Sequence, residues 1–203
     1  MPTKSNHTKR VRRDRREEII EKATQLFAEY GYKGTSFALV ANAVGLTEQG
    51  VLHYFPSKVH LLQAVLENRE DKEVEKYSKH INGEKKNVTE LFSLLEEVVG
   101  EGEEIPSLIQ LFTVLAGESI RSDHPSHDYF VERYRRGRKL YVTQFLTLNE
   151  GNLGSEDDLE ELASLIMAVM DGLQIQWLLD PENVDMVASF KLFSKIVSSY
   201  LKK

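Results

Sequence analysis

Glu48, Gln49 and His53 lie close together on one short stretch, with Gly50 and Leu52 between them. On the outward side of a helix, such residues offer donors and acceptors to base edges in a major groove, and Leu52 can meet a thymine methyl. Groups able to hold phosphate surround them: the hydroxyls of Thr35, Ser36, Thr47 and Tyr54, and the cations of Lys58 and Arg13. Asp123, His124, His127 and Asp128 form a second set with metal-ligand types and spacing. The same corner also reads as structural, with Ser126 or Asp128 capping the helix that follows and the acids favouring its positive end. No nucleophile is paired with a base, no phosphate loop occurs and there is no cysteine. Disulfides, thiol catalysis and thiolate metal sites are therefore excluded, and the expectation is a non-enzyme with no cofactor.

The elements that must position the first set lie between Thr35 and Lys58. Val40, Ala41 and Val44 make one apolar face of a first helix, which Thr35 or Ser36 can cap. Gly45 ends it, because a residue just past a helix end commonly needs φ > 0. Thr47 caps the second helix, Leu46 and Val51 close the corner, and the small Ala41 lets the two helices approach. The competing reading, an ordinary buried hairpin, has no use for so short and polar a second helix.

The order Gly31-Tyr32-x-Gly34-Thr35-Ser36, Val40-Ala41, Val44-Gly45-Leu46-Thr47, His53-Tyr54-Phe55-Pro56-Ser57-Lys58 and Leu61-Leu62 resembles the TetR family of transcriptional repressors over roughly residues 13 to 66. The resemblance implies an all-α homodimer in which three N-terminal helices bind operator DNA and a larger C-terminal domain dimerises and holds an inducer. It also implies that Lys58 contacts phosphate. The chain departs from the pattern at Leu52, where members usually carry a tyrosine; a leucine cannot hydrogen-bond a phosphate.

Of 203 residues, 41% are hydrophobic and 29% charged, the balance of a soluble globular chain. No uninterrupted apolar run approaches the ~18 residues of a membrane span, and the N-terminus is too basic and polar for a signal peptide, so the expected location is cytoplasmic, away from any membrane. The net charge of −6 divides unevenly: residues 1–60 hold ten bases against six acids, net +4, leaving −10 for the rest. That asymmetry points one end toward phosphates.

In chain order, residues 1–12 read as a disordered basic arm that can follow a DNA backbone or simply solubilise the chain, and 13–57 as the helix-turn-helix domain, with Ile20, Ala23, Phe27 and Tyr30 as its covering stripe. Residues 58–80 read as a connecting helix, and 81–203 as a regulatory and dimerisation domain, giving about nine helices overall. Loops are expected at 82–87 and 100–104. Asp171, Gly172 and Gln174 interrupt an otherwise apolar helix, and buried polar groups need partners. They either face an inducer pocket completed by Phe112, Leu115, Tyr134, Tyr141, Phe145 and Met167, with Arg133 turned inward, or bond across a dimer interface. A pocket so lined suits a hydrophobic, planar compound. The interface itself is expected from Leu162, Ile166, Leu173, Trp177, Met186, Phe190, Phe193 and Val197, two helices being half of an intersubunit four-helix bundle.

The function these readings imply is a repressor released from its operator by a small hydrophobic inducer. The alternatives are a constitutive DNA-binding regulator, or a helical metal-binding protein or enzyme using the 123–128 corner.

Overall fold

A computed structural model describes residues 4–68, 87–104, 106–148 and 154–201, with side chains from residue 14 onward. Those residues are all-α: α1 (Lys4–Gly34), α2 (Phe37–Ala43), α3 (Glu48–Tyr54), α4 (58–68), α5 (Val88–Glu103), α6 (Pro106–Glu118), α7 (His127–Leu146), α8 (Glu156–Leu179) and α9 (Met186–Leu201). The chain divides into two compact units, one of Met1–His80 with Gln110–Ser126, the other of Ile81–Ile109 with His127–Lys203. Residues 110–126 therefore group with the N-terminal part, although the sequence reading places all of 81–203 together. The remainder of the expected connecting helix, and the 82–86 loop, lie outside the described residues.

In the first unit α1 begins at Lys4, so residues 4–12 are helical and not a disordered arm. Extending an existing helix adds one hydrogen bond per residue fixed, and the lysines and arginines of this stretch are good helix formers. Gly31, at φ 67, breaks the helix before its last turn. Ile19, Ile20, Ala23 and Phe27 form the buried stripe of α1, whereas Tyr30, expected within it, is exposed.

The second unit is built on Leu91, Phe92, Leu95 and Val99 of α5, Val142 and Phe145 of α7, Leu159, Ala163 and Ile166 of α8, and Met186, Phe190, Val197 and Leu201 of α9. Phe92 lies 6.4 Å from both Phe145 and Phe193, in the range of favourable aromatic pairs. Asn87 caps α5, and Ser155 with Asp158 forms a capping box on α8. The 100–104 loop is instead mostly helix: α5 runs through Glu103, because Gly102 is buried where Ile109 and Met186 approach its bare Cα.

This packing corrects the interface reading at four of its eight residues. Ile166, Met186, Phe190 and Val197 are interior to a single chain, and Leu162, Leu173, Trp177 and Phe193 pack half-buried around them. The exposed apolar residues of the two helices are others: Leu165, Ile175 and Leu179 on α8, and Leu192, Ile196 and Tyr200 on α9. A helix apolar over a wide arc needs cover on two sides, and its periodicity does not tell which side its own chain supplies. By length and average composition α8 also meets the measure of a membrane-crossing helix, which the reading of uninterrupted runs missed because Asp171 divides it.

Candidate nucleic-acid interface

Ser36 and Thr47 start the two short helices. Each sits in an extended conformation, and its side-chain oxygen accepts the backbone N–H three residues on, from Leu39 and from Gly50, both at 3.1 Å. Each bond satisfies an otherwise orphaned helix donor. Between them Gly45 takes φ 64, and Leu46 N–H returns to the Ala41 carbonyl at 2.9 Å, a bond that closes the first helix. Val40, Ala41, Val44 and Val51 are buried, so the corner packs as its spacing predicts.

With that face inward, Glu48, Gln49 and His53 are exposed, Leu52 is half-buried, and the Tyr54 ring stands edge-on to His53 at 5.5 Å. Gly50 is half-buried, and a Cβ there would meet Leu46 and Thr47 at an ordinary contact distance of 3.4 Å, as a position in the first turn of α3 does when side chains lean toward the helix N-terminus.

The phosphate candidates separate into two kinds. Ser36 and Thr47 are exposed caps whose hydroxyl protons can still be donated, and Tyr54 is half-buried. Thr35, in contrast, is buried, with 1% of its surface exposed, and its hydroxyl faces the carbonyls of Leu26 and Gly31 at 3.0 and 2.9 Å. Its role as a phosphate donor is therefore corrected: it ties the end of α1 to the start of α2. Lys58 likewise turns inward, donating to the carbonyls of Tyr32 and Thr35 at 2.8 and 2.9 Å with its ammonium 4.4 Å from the Tyr32 ring centre. Two of its three donors are thus used within the chain. Desolvation lowers its pKa, opposed by the nearby Glu118 carboxylate. The Arg13 side chain lies outside the described residues, while Arg16 stacks over Phe55 at 5.1 Å and steadies the exit of α3.

The tyrosine-rich region of the second unit behaves differently from its reading as a pocket. Tyr134 donates to Asp171 at 2.7 Å and Tyr141 to the Met170 sulfur at 3.7 Å, so polar groups of α7 and α8 satisfy one another. Met167 leans on Gly137 so closely that a Cβ there would lie 2.6 Å from its terminal methyl. Arg133 and Gln174 are half-buried. Phe145, only 1% exposed, packs in the core, and Leu115 is fully buried in the first unit together with its half-buried neighbour Phe112. Side chains without accessible surface do not line a water-sized space, so Leu115 and Phe145 are core and not pocket wall.

At the 123–128 corner, Asp123 is held by Arg121 at 2.9 Å, and the buried His124 turns its Nδ1 toward Ser119 and Ser126. Among the described residues no three His, Asp or Glu side chains form a metal-holding group. Ser126, one of the two expected caps beside Asp128, points its hydroxyl into this buried cluster, 2.7 Å from that of Ser119.

A match to the tetR family of bacterial regulatory proteins covers residues 19–65, and a match to the C-terminal region of BetI-type transcriptional repressors covers 89–202. The chain belongs to the TetR family. The chain is also similar to the nucleoid occlusion factor SlmA of Salmonella dublin, 28% identical over 166 residues that span 80% of this chain and 82% of that one. The fold is similar to that of the fatty acid degradation regulator FadR from Bacillus halodurans, with TM-score 0.75 at 18% identity over 91% of this chain and 94% of that one. It is also similar to FadR from Bacillus subtilis, solved with stearoyl-CoA, with TM-score 0.67 at 18% identity over 92% and 97%. Membership in the TetR family makes this chain a DNA-binding transcriptional regulator, with α2 and α3 as its helix-turn-helix.

Two contributors escaped the sequence reading. Glu118 accepts the Tyr32 N–H at 3.0 Å, and Tyr32 supplies both a carbonyl and a ring face to Lys58. The only signal in the sequence was Gly31, whose left-handed backbone calls for a partner to its turn.

Proposed function

We propose that the chain is a homodimeric repressor whose two α3 helices read a palindromic operator, and that a small apolar ligand bound in the second unit releases it. The observation that carries this reading is the exposure of Glu48, Gln49 and His53 on a helix whose opposite face, at Val51, is buried. The remaining hydroxyl protons of Ser36 and Thr47, Tyr54, the third donor of Lys58 and Arg13 hold the backbone on either side. Pairing follows from the exposed apolar stripes of α8 and α9, which two copies can bury against each other as a four-helix bundle. The ligand site is assigned to Arg133, Tyr134, Tyr141, Met167, Asp171 and Gln174, with Met167 the side chain that must swing away from Gly137 to make room. The presence of stearoyl-CoA in the FadR of Bacillus subtilis supports an apolar ligand class.

The close fit of Met167 on Gly137 also favours a second reading, a constitutive regulator with no inducer. One experiment separates them. Genomic fragments retained by the full-length protein are challenged with acyl-CoA thioesters and planar aromatic compounds. Release by a member of either class, lost in Met167→Trp, supports the inducible repressor; retention against all of them supports the constitutive one. Failure to retain any fragment contradicts both.

A further inference from the structure

Glu118 ends α6, and its carboxylate serves a turn 86 residues earlier in the chain, within the same unit. Oε2 accepts the Tyr32 N–H at 3.0 Å, while Oε1 lies 2.8 Å from the point where a Cβ on Gly31 would stand. Gly31 also has φ +67, a conformation that side chains disfavour, so the close approach and the backbone bend require glycine together. From the other side Lys58 holds the carbonyls of Tyr32 and Thr35, its charge drawn toward Glu118.

His124 completes the arrangement. Its Nδ1 accepts the Ser126 N–H at 3.3 Å, which places the ring proton on Nε2. That atom is buried without a hydrogen-bond partner among the described residues, and Glu118 Oε2 stands 3.7 Å from it. A second donor therefore stands near the oxygen that already holds Tyr32, beyond hydrogen-bond distance.

We propose that Glu118 is a positioning residue for DNA binding: its carboxylate fixes the Gly31–Thr35 turn, and with it the start of α2 and the angle at which α3 is presented. The inference rests on the DNA-binding reading given above. The carboxylate touches neither reading helix, yet Thr35 and the Ser36 cap follow directly from the turn it holds. Displacement of the 118–126 segment would thus be felt at the DNA surface.

The test uses the full-length chain and a duplex that the wild-type protein selects from random-sequence DNA, with Glu118→Ala, Glu118→Gln and Glu118→Asp compared at a temperature where all are folded by circular dichroism. Glu118→Ala is expected to lose ~10-fold in affinity and ~10-fold in hydrogen-exchange protection of the Tyr32 amide, because a lost bond of this kind frees the turn to open locally. Glu118→Gln keeps an acceptor at the same reach and should restore both to within ~3-fold. Should the alanine chain not fold, Glu118→Asp carries the comparison, since it keeps the charge and withdraws it from Tyr32. A merely structural residue would lower the melting temperature and leave the affinity of the folded protein unchanged. That result, or unaltered Tyr32 protection, or equal loss in the alanine and glutamine variants, overturns the proposal. A wild-type chain that selects no duplex contradicts the DNA reading itself; wild-type selection with unaffected variants contradicts only the role of Glu118.

Discussion

The Tyr134 hydroxyl donates to Asp171 Oδ2 at 2.7 Å and joins α7 to α8 through a carboxylate set in the middle of an apolar helix. Burial raises the Asp171 pKa, while the bond from Tyr134 and the nearby Arg133 charge pull it down. An acid whose folded pKa is raised destabilises the fold at neutral pH and recovers that loss as pH falls through the folded value. Asp171→Asn removes the charge and keeps an acceptor for Tyr134. It is expected to raise the melting temperature at pH 7; a lowered melting temperature would show that the charge itself is needed for the fold.

Thr35 is expected to matter for stability and not for phosphate. Thr35→Val fills the same volume without the hydroxyl that Leu26 and Gly31 share, and should lose about 1–3 kcal/mol in denaturant unfolding. The dependence of DNA affinity on salt should stay unchanged. A slope reduced by about one, the mark of a lost phosphate contact, would contradict the inward assignment.

Acid should loosen the first unit through His124. Burial holds its pKa below the ordinary imidazole value, reinforced by Lys33 and Arg121 and opposed by Glu118 and Asp123. The unfolded chain takes up this proton first, near pH ~6.5, so the stability conferred by the neutral ring is present above that pH and lost as pH falls through the folded value. Melting temperatures recorded from pH 7.5 to 5 should fall more steeply for the wild-type chain than for His124→Gln. Parallel curves would remove His124 as the titrating group.

Leu192→Asp and Ile196→Asp place charges on surface that a single chain leaves exposed, 61% at Leu192 and 60% at Ile196. Each should leave the helical content unchanged and yield a monomer in sedimentation. Phe190→Ala, by contrast, opens a cavity in the chain's own core and should destabilise it by ~3–5 kcal/mol. A dimer that survives both aspartates would refute the assignment of this face.

The helix-turn-helix could be read in advance because every requirement there is local. Gly45 must bend, Ser36 and Thr47 must cap, and Ala41 must be small, each within a few residues of its partner. Glu118 and the inward turn of Lys58 were hidden because their partners lie far away in sequence. Phe190 and Leu192 illustrate the same limit on α9: both are apolar, and only the placement of α5 and α8 decides that one is core and the other surface.

The most direct measurement of the central claim is a base-preference profile for the wild-type chain, Gln49→Ala and His53→Ala on randomised duplexes at one fixed salt concentration. Since these side chains are exposed on α3, each replacement should relax the preference at particular base pairs by ~1–3 kcal/mol and leave the salt slope as it was. Profiles and affinities identical to wild type for both variants would contradict the assignment of α3 as the helix that reads the operator.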